Sequence, residues 1–277
     1  MSRAAGTTLL FAVMTIAAQG QEPAATEPTS ADKEQIEAAL KLTTEAAGKY
    51  EIARTGANTA AKLVKEPVLR WSNPAVGEIH GNVFLWTVNT RPISVGSLFK
   101  WFSPHKHTSH EFQSLAEEKL TAKFDGREVW TTKEPGLRFV SVNVEAPADS
   151  ATRRLSQMRQ LARRFTGHLV TREGEQHELR LLTQPVFRYA APEEGVLDGG
   201  LFALVQGTDP DIQFLIEARS DKEPGKDPQW HFAAARMQNC ALAVQFDGRE
   251  VWSVPQLEWS VAFDHGQPYT LFDTPGK

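Results

Sequence analysis

The residues best suited to chemistry lie in one short run, His105-Lys106-His107-Thr108-Ser109-His110-Glu111, which holds three of the eight histidines. On an extended segment His105 and His107 share one face. Neutral imidazoles there, together with the Glu111 carboxylate, could bind zinc or a similar ion. The corresponding connection of the other half, Asp221 to Pro228, is polar and has no such ligands, so we interpret the histidine run as an exposed loop. The alternative is a metal site formed by His105, His107 and His110, although the spacing matches no closed ligand pattern of the structural zinc type.

Other catalytic motifs are absent from the sequence. It contains no Gly-x-Ser-x-Gly, no phosphate-binding loop, no dinucleotide fingerprint and no His-Glu-x-x-His. Asp209 and Asp211 stand two positions apart, a spacing that acid–base chemistry could use, but Thr-Asp-Pro between two strands is typical of a turn. We therefore interpret that run as a turn, and the sequence indicates neither a catalytic residue nor a cofactor.

Charge and cysteine content restrict the class of protein. The formal net charge is −4, and a mildly acidic chain lacks the basic surface that nucleic-acid binding requires. Cys240 is the only cysteine, which excludes an intramolecular disulfide. Its strand-like surroundings favour a small buried side chain. Stability must therefore come from the burial of apolar side chains.

The first 20 residues have the pattern of a secretory signal peptide. A cation at Arg3 precedes the apolar run from Leu9 to Ala18, and small residues follow where signal peptidase cleaves. The apolar run is too short to span a membrane, which takes about 20 residues. We expect residues 1–20 to be removed and residues 21–30 to form a flexible leader. The product would be periplasmic or extracellular, without a membrane anchor.

An identical seven-residue run occurs twice, at Phe124–Trp130 and at Phe246–Trp252. Upstream of it, Pro67-Val68 recurs as Pro185-Val186 at an offset of 118 positions, and the offset grows to 122 at the seven-residue run. A repeat of this extent predicts an internal duplication.

The repeated run also predicts a local structure. Asp-Gly between two strand-like runs favours a two-residue type I′ turn, at Asp125-Gly126 and again at Asp247-Gly248. An unbroken ladder from this turn places Ala122 opposite Val129. Each half is therefore expected to close with a tight hairpin.

The predicted fold class is α+β, with two tandem copies at 31–148 and 149–277. Each copy would pack one helix on a curved antiparallel sheet of about five to seven strands. Alternation leaves both faces of such a sheet partly apolar, so we expect one face to meet the helix and the other to meet the partner copy. The order of helix and then meander is similar to that of cystatin-like and nuclear-transport-factor-like domains, an analogy that carries no activity.

Four segments of the chain resemble a family of exported bacterial proteins of the planctomycete type. They are Glu66–Trp71, His80–Trp86, Glu111–Leu115 and Gly207–Pro210. The resemblance covers most of the chain after the signal peptide. It implies export but no substrate, cofactor or catalytic residue.

Two functions are compatible with the sequence. The duplication, seven tryptophans and fifteen phenylalanines favour a non-catalytic binding or structural protein that holds an unknown protein or small molecule in a groove between its two units. The alternative is a metal-dependent hydrolase that uses the segment from His105 to Glu111.

Overall fold

A computed structural model describes residues 30–74, 76–220 and 227–272. The predicted signal peptide, the predicted leader before Ser30 and the polar run 221–226 lie outside the described residues. Within those three ranges, no helix is both long enough and apolar enough to cross a membrane.

Strands account for most of the regular structure. The helices are α1 (Ser30–Ala47), α2 (Ala151–Ala162) and α3 (Trp259–Ala262), with a 3-10 turn at Pro192–Glu194. The strands are β1 (Tyr50–Arg54), β2 (Lys62–Leu63), β3 (Leu69–Ser72), β4 (Glu78–Val88), β5 (Arg91–Ser103), β6 (Thr108–Ser114), β7 (Leu120–Phe124), β8 (Arg127–Thr131), β9 (Val140–Ser141), β10 (Phe165–Val170), β11 (Gln176–Leu181), β12 (Phe187–Ala191), β13 (Val196–Gln206), β14 (Asp209–Arg219), β15 (Gln229–Arg236), β16 (Ala241–Phe246), β17 (Arg249–Val254) and β18 (Tyr269–Phe272).

The predicted fold class, two tandem copies that each pack one helix on one sheet, is wrong. The protein is mostly β, and its strands form three sheets, one of them curled into a half-barrel. The nine-stranded sheet has the order β17-β16-β10-β11-β13-β14-β15-β9, and β12 pairs with β13. The six-stranded sheet has the order β18-β6-β5-β4-β2, and β3 pairs with β4. The third sheet has the order β1-β7-β8.

Two short strands pair with strands of the other half of the chain, and this pairing explains part of the error in the predicted fold class. Strand β9 pairs with β15, and strand β18 pairs with β6. Both are short strands added at a sheet edge, where unpaired backbone groups accept a further strand. The local pattern of a short segment shows that it is extended but does not specify which edge it joins.

The Asp-Gly turns form as predicted, but the ladder beyond them is bulged. The φ angles are 48° and 76° in Asp125-Gly126, and 51° and 74° in Asp247-Gly248. A bulge then places Ala122 opposite Trp130, not opposite Val129. The extra residue turns Trp130 onto the buried face, where its side chain is 1% exposed.

The apolar residues form three cores. The first outer core includes Ala47 of α1 and Trp86 of β4, and the second outer core includes Met158 of α2. A central core combines residues of both halves, among them Trp71 and Leu215. Neighbouring residues of one strand point to opposite faces, so the long central strands bury both of their faces.

The strand registers of the two halves correspond at an offset of 118. Strands β3 and β4 pair Trp71 with Gly81, while β12 and β13 pair Tyr189 with Gly199. In both places the aromatic ring lies over the glycine, where an added Cβ would approach the ring to 2.1 Å and 2.6 Å respectively. Corresponding positions therefore occupy corresponding places in the fold.

Contacts between the halves follow the same correspondence. The hydroxyl of Thr90 donates to the carbonyl oxygen of Ala190 at 2.6 Å, and the hydroxyl of Thr208 donates to that of Ser72 at 2.8 Å. Thr90 corresponds to Thr208 and Ser72 to Ala190. The halves thus meet through reciprocal contacts, as an approximate twofold relation requires.

Candidate functional site

A cavity of about 350 Å³ opens between the two halves of the chain. We call it the inter-half cavity. Its aromatic lining residues are Trp71, Phe99, Trp101, Trp259, Phe263 and Tyr269. Its carboxyl-bearing residues are Glu111, Asp209 and Asp211, and its imidazoles are His105 and His107. No lysine or arginine is among the described residues that line it.

The aromatic residues come from separate elements. Phe99 and Trp101 stand two positions apart on β5 and therefore share a face. Trp259 begins α3 and Phe263 follows its last residue, so the two are four positions apart and lie on one side of the turn. Trp259 and Phe263 are 53% and 37% exposed. They give the cavity an aromatic mouth open to solvent.

Glu111 is a buried carboxyl group at this cavity. It lies on β6 and accepts a hydrogen bond from the hydroxyl of Tyr269. Burial raises the pKa of Glu111 well above its usual range, the hydrogen bond from Tyr269 opposes this shift, and the nearby charges of Asp209 and Asp211 reinforce it. Glu111 therefore keeps its proton to a higher pH than an exposed glutamic acid does, although the charge of Arg236 acts against the shift.

Asp209 and Asp211 flank Pro210 at the start of β14 and line the same cavity. Burial raises the pKa of Asp209 to about 7, against the opposing effect of a hydrogen bond from Asn73. Burial also raises the pKa of Asp211 well above its usual range, and the charge of Asp209 adds to the shift. The turn forms at Gly207 and Thr208. The turn interpretation is wrong for the two aspartates, because both belong to strand β14.

The structure separates the three predicted metal ligands. His105 and His107 line the inter-half cavity, with ring centroids 5.8 Å apart. His110 points to the opposite face of β6, where its Nδ1 lies 2.8 Å from the hydroxyl oxygen of Tyr50. Burial lowers the pKa of His110 to about 4. Alternation along the strand thus brings Glu111, but not His110, into the cavity with the other two histidines.

In the described part of the chain, no three His, Cys, Asp or Glu side chains lie close enough together to hold a metal ion. Cys240 is half-buried, and burial raises the pKa of its thiol. It is not among the residues that line the inter-half cavity.

A second polar cluster, which we call the ion-pair network, lies elsewhere between the halves. Glu217, which is fully buried, binds Arg91 at 2.9 Å and Arg219 at 2.6 Å. Arg219 also binds Glu117 at 2.7 Å, and the hydroxyl of Tyr189 donates to Glu217. Here every buried carboxylate has an arginine partner.

The sequence identifies some of the residues that line the cavity but not all of them. His105, His107 and Glu111 were singled out as one run, whereas Trp71, Asp209 and Tyr269 come from distant segments that only the tertiary fold brings together. One signal was available for Asp209. Asp209 corresponds to Arg91 of the other half. A shared fold does not require such a reversal of charge between corresponding positions.

Comparison of the chain with protein-family models, with curated proteins and with solved structures finds no match.

Proposed function

We propose that this protein binds a small molecule in the inter-half cavity and does not convert it chemically. The observation that carries the proposal is the cavity itself, about 350 Å³ in volume and lined from both halves by six aromatic rings. Ligand sites typically enclose about 300 to 1,000 Å³, with mostly apolar walls and a few oriented polar groups. The three carboxyl groups supply those polar groups here.

A substitution at the exposed aromatic mouth of the cavity tests whether a small molecule binds there. Trp259 is 53% exposed, so Trp259→Ala should leave the fold intact while it removes a ring from the site. We expect a small-molecule library to yield compounds that raise the melting temperature of the parent protein, and we expect this effect to weaken in the variant. Val140→Ala is the matched control, since Val140 is 48% exposed on β9 and does not line the cavity. Ligands that stabilise the parent and Trp259→Ala equally would contradict the proposal.

A second candidate is a metal-dependent hydrolase. The observation in its favour is that two imidazoles and a carboxyl group, the residue types of a catalytic zinc site, line one cavity at His105, His107 and Glu111. These side chains would have to move closer together to hold an ion. Elemental analysis of protein purified without added metal separates the two functions. Stoichiometric zinc or iron, lost on replacement of His105 and His107, would favour the hydrolase.

We also propose that the protein is exported and that its halves arose by duplication. The signal-like residues 1–20 support export, and the identical seven-residue runs with the corresponding strand registers support duplication. Mass spectrometry of protein recovered from the periplasm or the medium should find an N-terminus near residue 21. An uncleaved N-terminus in the cytoplasmic fraction would contradict export.

A further inference from the structure

We infer that the ligand of the inter-half cavity is an organic cation, whose amino or quaternary ammonium group sits between the aromatic rings and the carboxyl groups of Glu111, Asp209 and Asp211. This inference rests on the proposed binding function and adds the chemical class of the ligand.

The residues that line the cavity include acidic groups but no lysine or arginine among those that the structure describes. Three carboxyl groups line the cavity, and no described cationic side chain lies within ion-pair distance of any of them. They accept hydrogen bonds from neutral groups of Tyr269, Asn73 and Gln238, and the charge of Arg236 acts on Glu111 from outside the lining. Elsewhere in the described interior, buried carboxylates are paired, as Asp198 is with Arg154 at 3.1 Å and with Arg188 at 2.7 Å. Removing a carboxylate from water without a partner is costly. A bound cation would supply the missing positive charge.

The second argument is the aromatic lining. A cation within about 6 Å of a ring centroid is attracted by the negative face of the ring, and tryptophan binds best. Three tryptophans, Trp71, Trp101 and Trp259, line this cavity. An anion would be repelled both by the ring faces and by the carboxylates. A neutral ligand could stack on the rings but would leave the carboxyl groups unpaired.

A third observation, independent of charge, points to an occupant. Asn239 lines the cavity, is 9% exposed, and its Nδ2 has no hydrogen-bond partner among the described residues. A buried donor without a partner costs about 1–3 kcal/mol and is rare in native proteins. Because this nitrogen is itself shielded from solvent, an occupant with an acceptor oxygen would satisfy it once the amide turns toward the cavity.

The pH response of the site agrees with this assignment. Burial raises the pKa of Asp209 to about 7, and a cation beside it favours the ionised form. The other titratable groups that line the cavity are Glu111 and Asp211, Tyr269 on β18, and the two imidazoles that precede β6. Arg236 and Cys240 lie outside the lining, but the charge of Arg236 acts on Glu111, and the charge of Asp211 acts on the thiol of Cys240. The carboxyl groups lose protons as the pH rises, so the attraction for a permanent cation increases in the same direction.

The test compares each of two cations with a neutral molecule of the same shape. The pairs are choline with 3,3-dimethyl-1-butanol and 1,6-diaminohexane with 1,6-hexanediol, titrated calorimetrically into the protein at pH 8. We expect at least one cation to bind about tenfold more tightly than its neutral counterpart, since a desolvated cation–π contact is worth that much or more. Asp209→Asn should reduce this preference severalfold. Asp149→Asn, an exposed aspartate outside the cavity, should not change it.

The outcomes separate the two proposals. Equal binding of a cation and its neutral counterpart, weakened for both by Trp259→Ala, would overturn the cationic assignment but keep the binding function. Binding of none of the four probes would overturn both. Preference for a cation that survives unchanged in Asp209→Asn would overturn the placement of its charge beside Asp209. Circular dichroism of each variant establishes that it is folded.

Discussion

The ion-pair network and the inter-half cavity occupy corresponding places in the two halves, yet one is closed and the other is open. Positions correspond at an offset of 118 up to β5 and β14, and at 122 after them, as the strand registers show. The corresponding pairs, with the network residue first, are Arg91 and Asp209, Tyr189 and Trp71, Glu217 and Phe99, Arg219 and Trp101, and Glu117 and Asn239.

The difference lies in charge rather than in backbone. At the network, Arg91 and Arg219 pair with three carboxylates between the halves, those of Glu117, Glu194 and Glu217. At the cavity, aromatic rings replace Glu217 and Arg219, and an aspartate replaces Arg91, so no lysine or arginine is among the described lining residues and space remains. Residues that both halves share are explained by folding. Corresponding positions whose residues differ in charge are not explained by folding. Ligand binding explains the difference.

Breaking the network should have the largest effect on stability. We expect Glu217→Gln to lower the free energy of unfolding by about 3 kcal/mol or more, because Arg91 and Arg219 would lose a fully buried partner. The corresponding treatment of the cavity, Asp209→Asn, should cost far less or stabilise, since that carboxyl has no arginine partner. Denaturant unfolding of both variants measures the contrast. Similar losses in the two would show that the two places are not energetically different.

Rebuilding the network in the cavity should abolish binding. In the double variant Asp209→Arg with Phe99→Glu, the new side chains recreate the pair Arg91–Glu217 at corresponding positions and add a cation to the site. We expect the protein to fold and to lose at least about tenfold in affinity for any cation bound by the parent. Calorimetric titration provides the comparison, and unchanged affinity in the folded double variant would locate the ligand elsewhere.

The sequence predicted those features that depend on a few neighbouring residues. The Asp-Gly turns formed as expected because positive φ at Asp125 and Gly126 is a local preference. The predicted fold class was wrong because short strands such as β18 pair with a strand that is distant in the sequence. The alternation of apolar and polar residues does not specify that partner. The cavity could not be predicted from motifs, because Trp71, Asp209 and Tyr269 converge only through long-range packing.

The unpaired carboxyl groups should make stability fall as pH rises. The folded pKa of Asp209 is raised to about 7, whereas an unfolded aspartate titrates near about 3.9. Between these values the folded protein holds more protons than the unfolded chain, so the free energy of unfolding decreases with increasing pH. Glu111 and Asp211 act in the same direction. Unfolding at pH 5 and pH 8 should show a decline that Asp209→Asn reduces, and parallel behaviour of parent and variant would contradict this.

The smallest effect is expected at the two cavity histidines. Replacing His105 and His107 with serine should change the free energy of unfolding by no more than about 0.5 kcal/mol, since His105 is exposed and His107 is only partly buried. His110→Ser should cost about 1–3 kcal/mol, because the buried hydroxyl of Tyr50 loses its partner. Melting curves with and without chelator check both. A large loss in the double variant that chelator reproduces in the parent would indicate a bound metal.

The central claim is that the inter-half cavity holds an organic cation, and a crystal structure of the protein grown with choline at pH 8 tests it most directly. We expect density for the trimethylammonium group against the ring of Trp71, Trp101 or Trp259 and beside Asp209. Choline bound elsewhere, with only water between these residues, would contradict it.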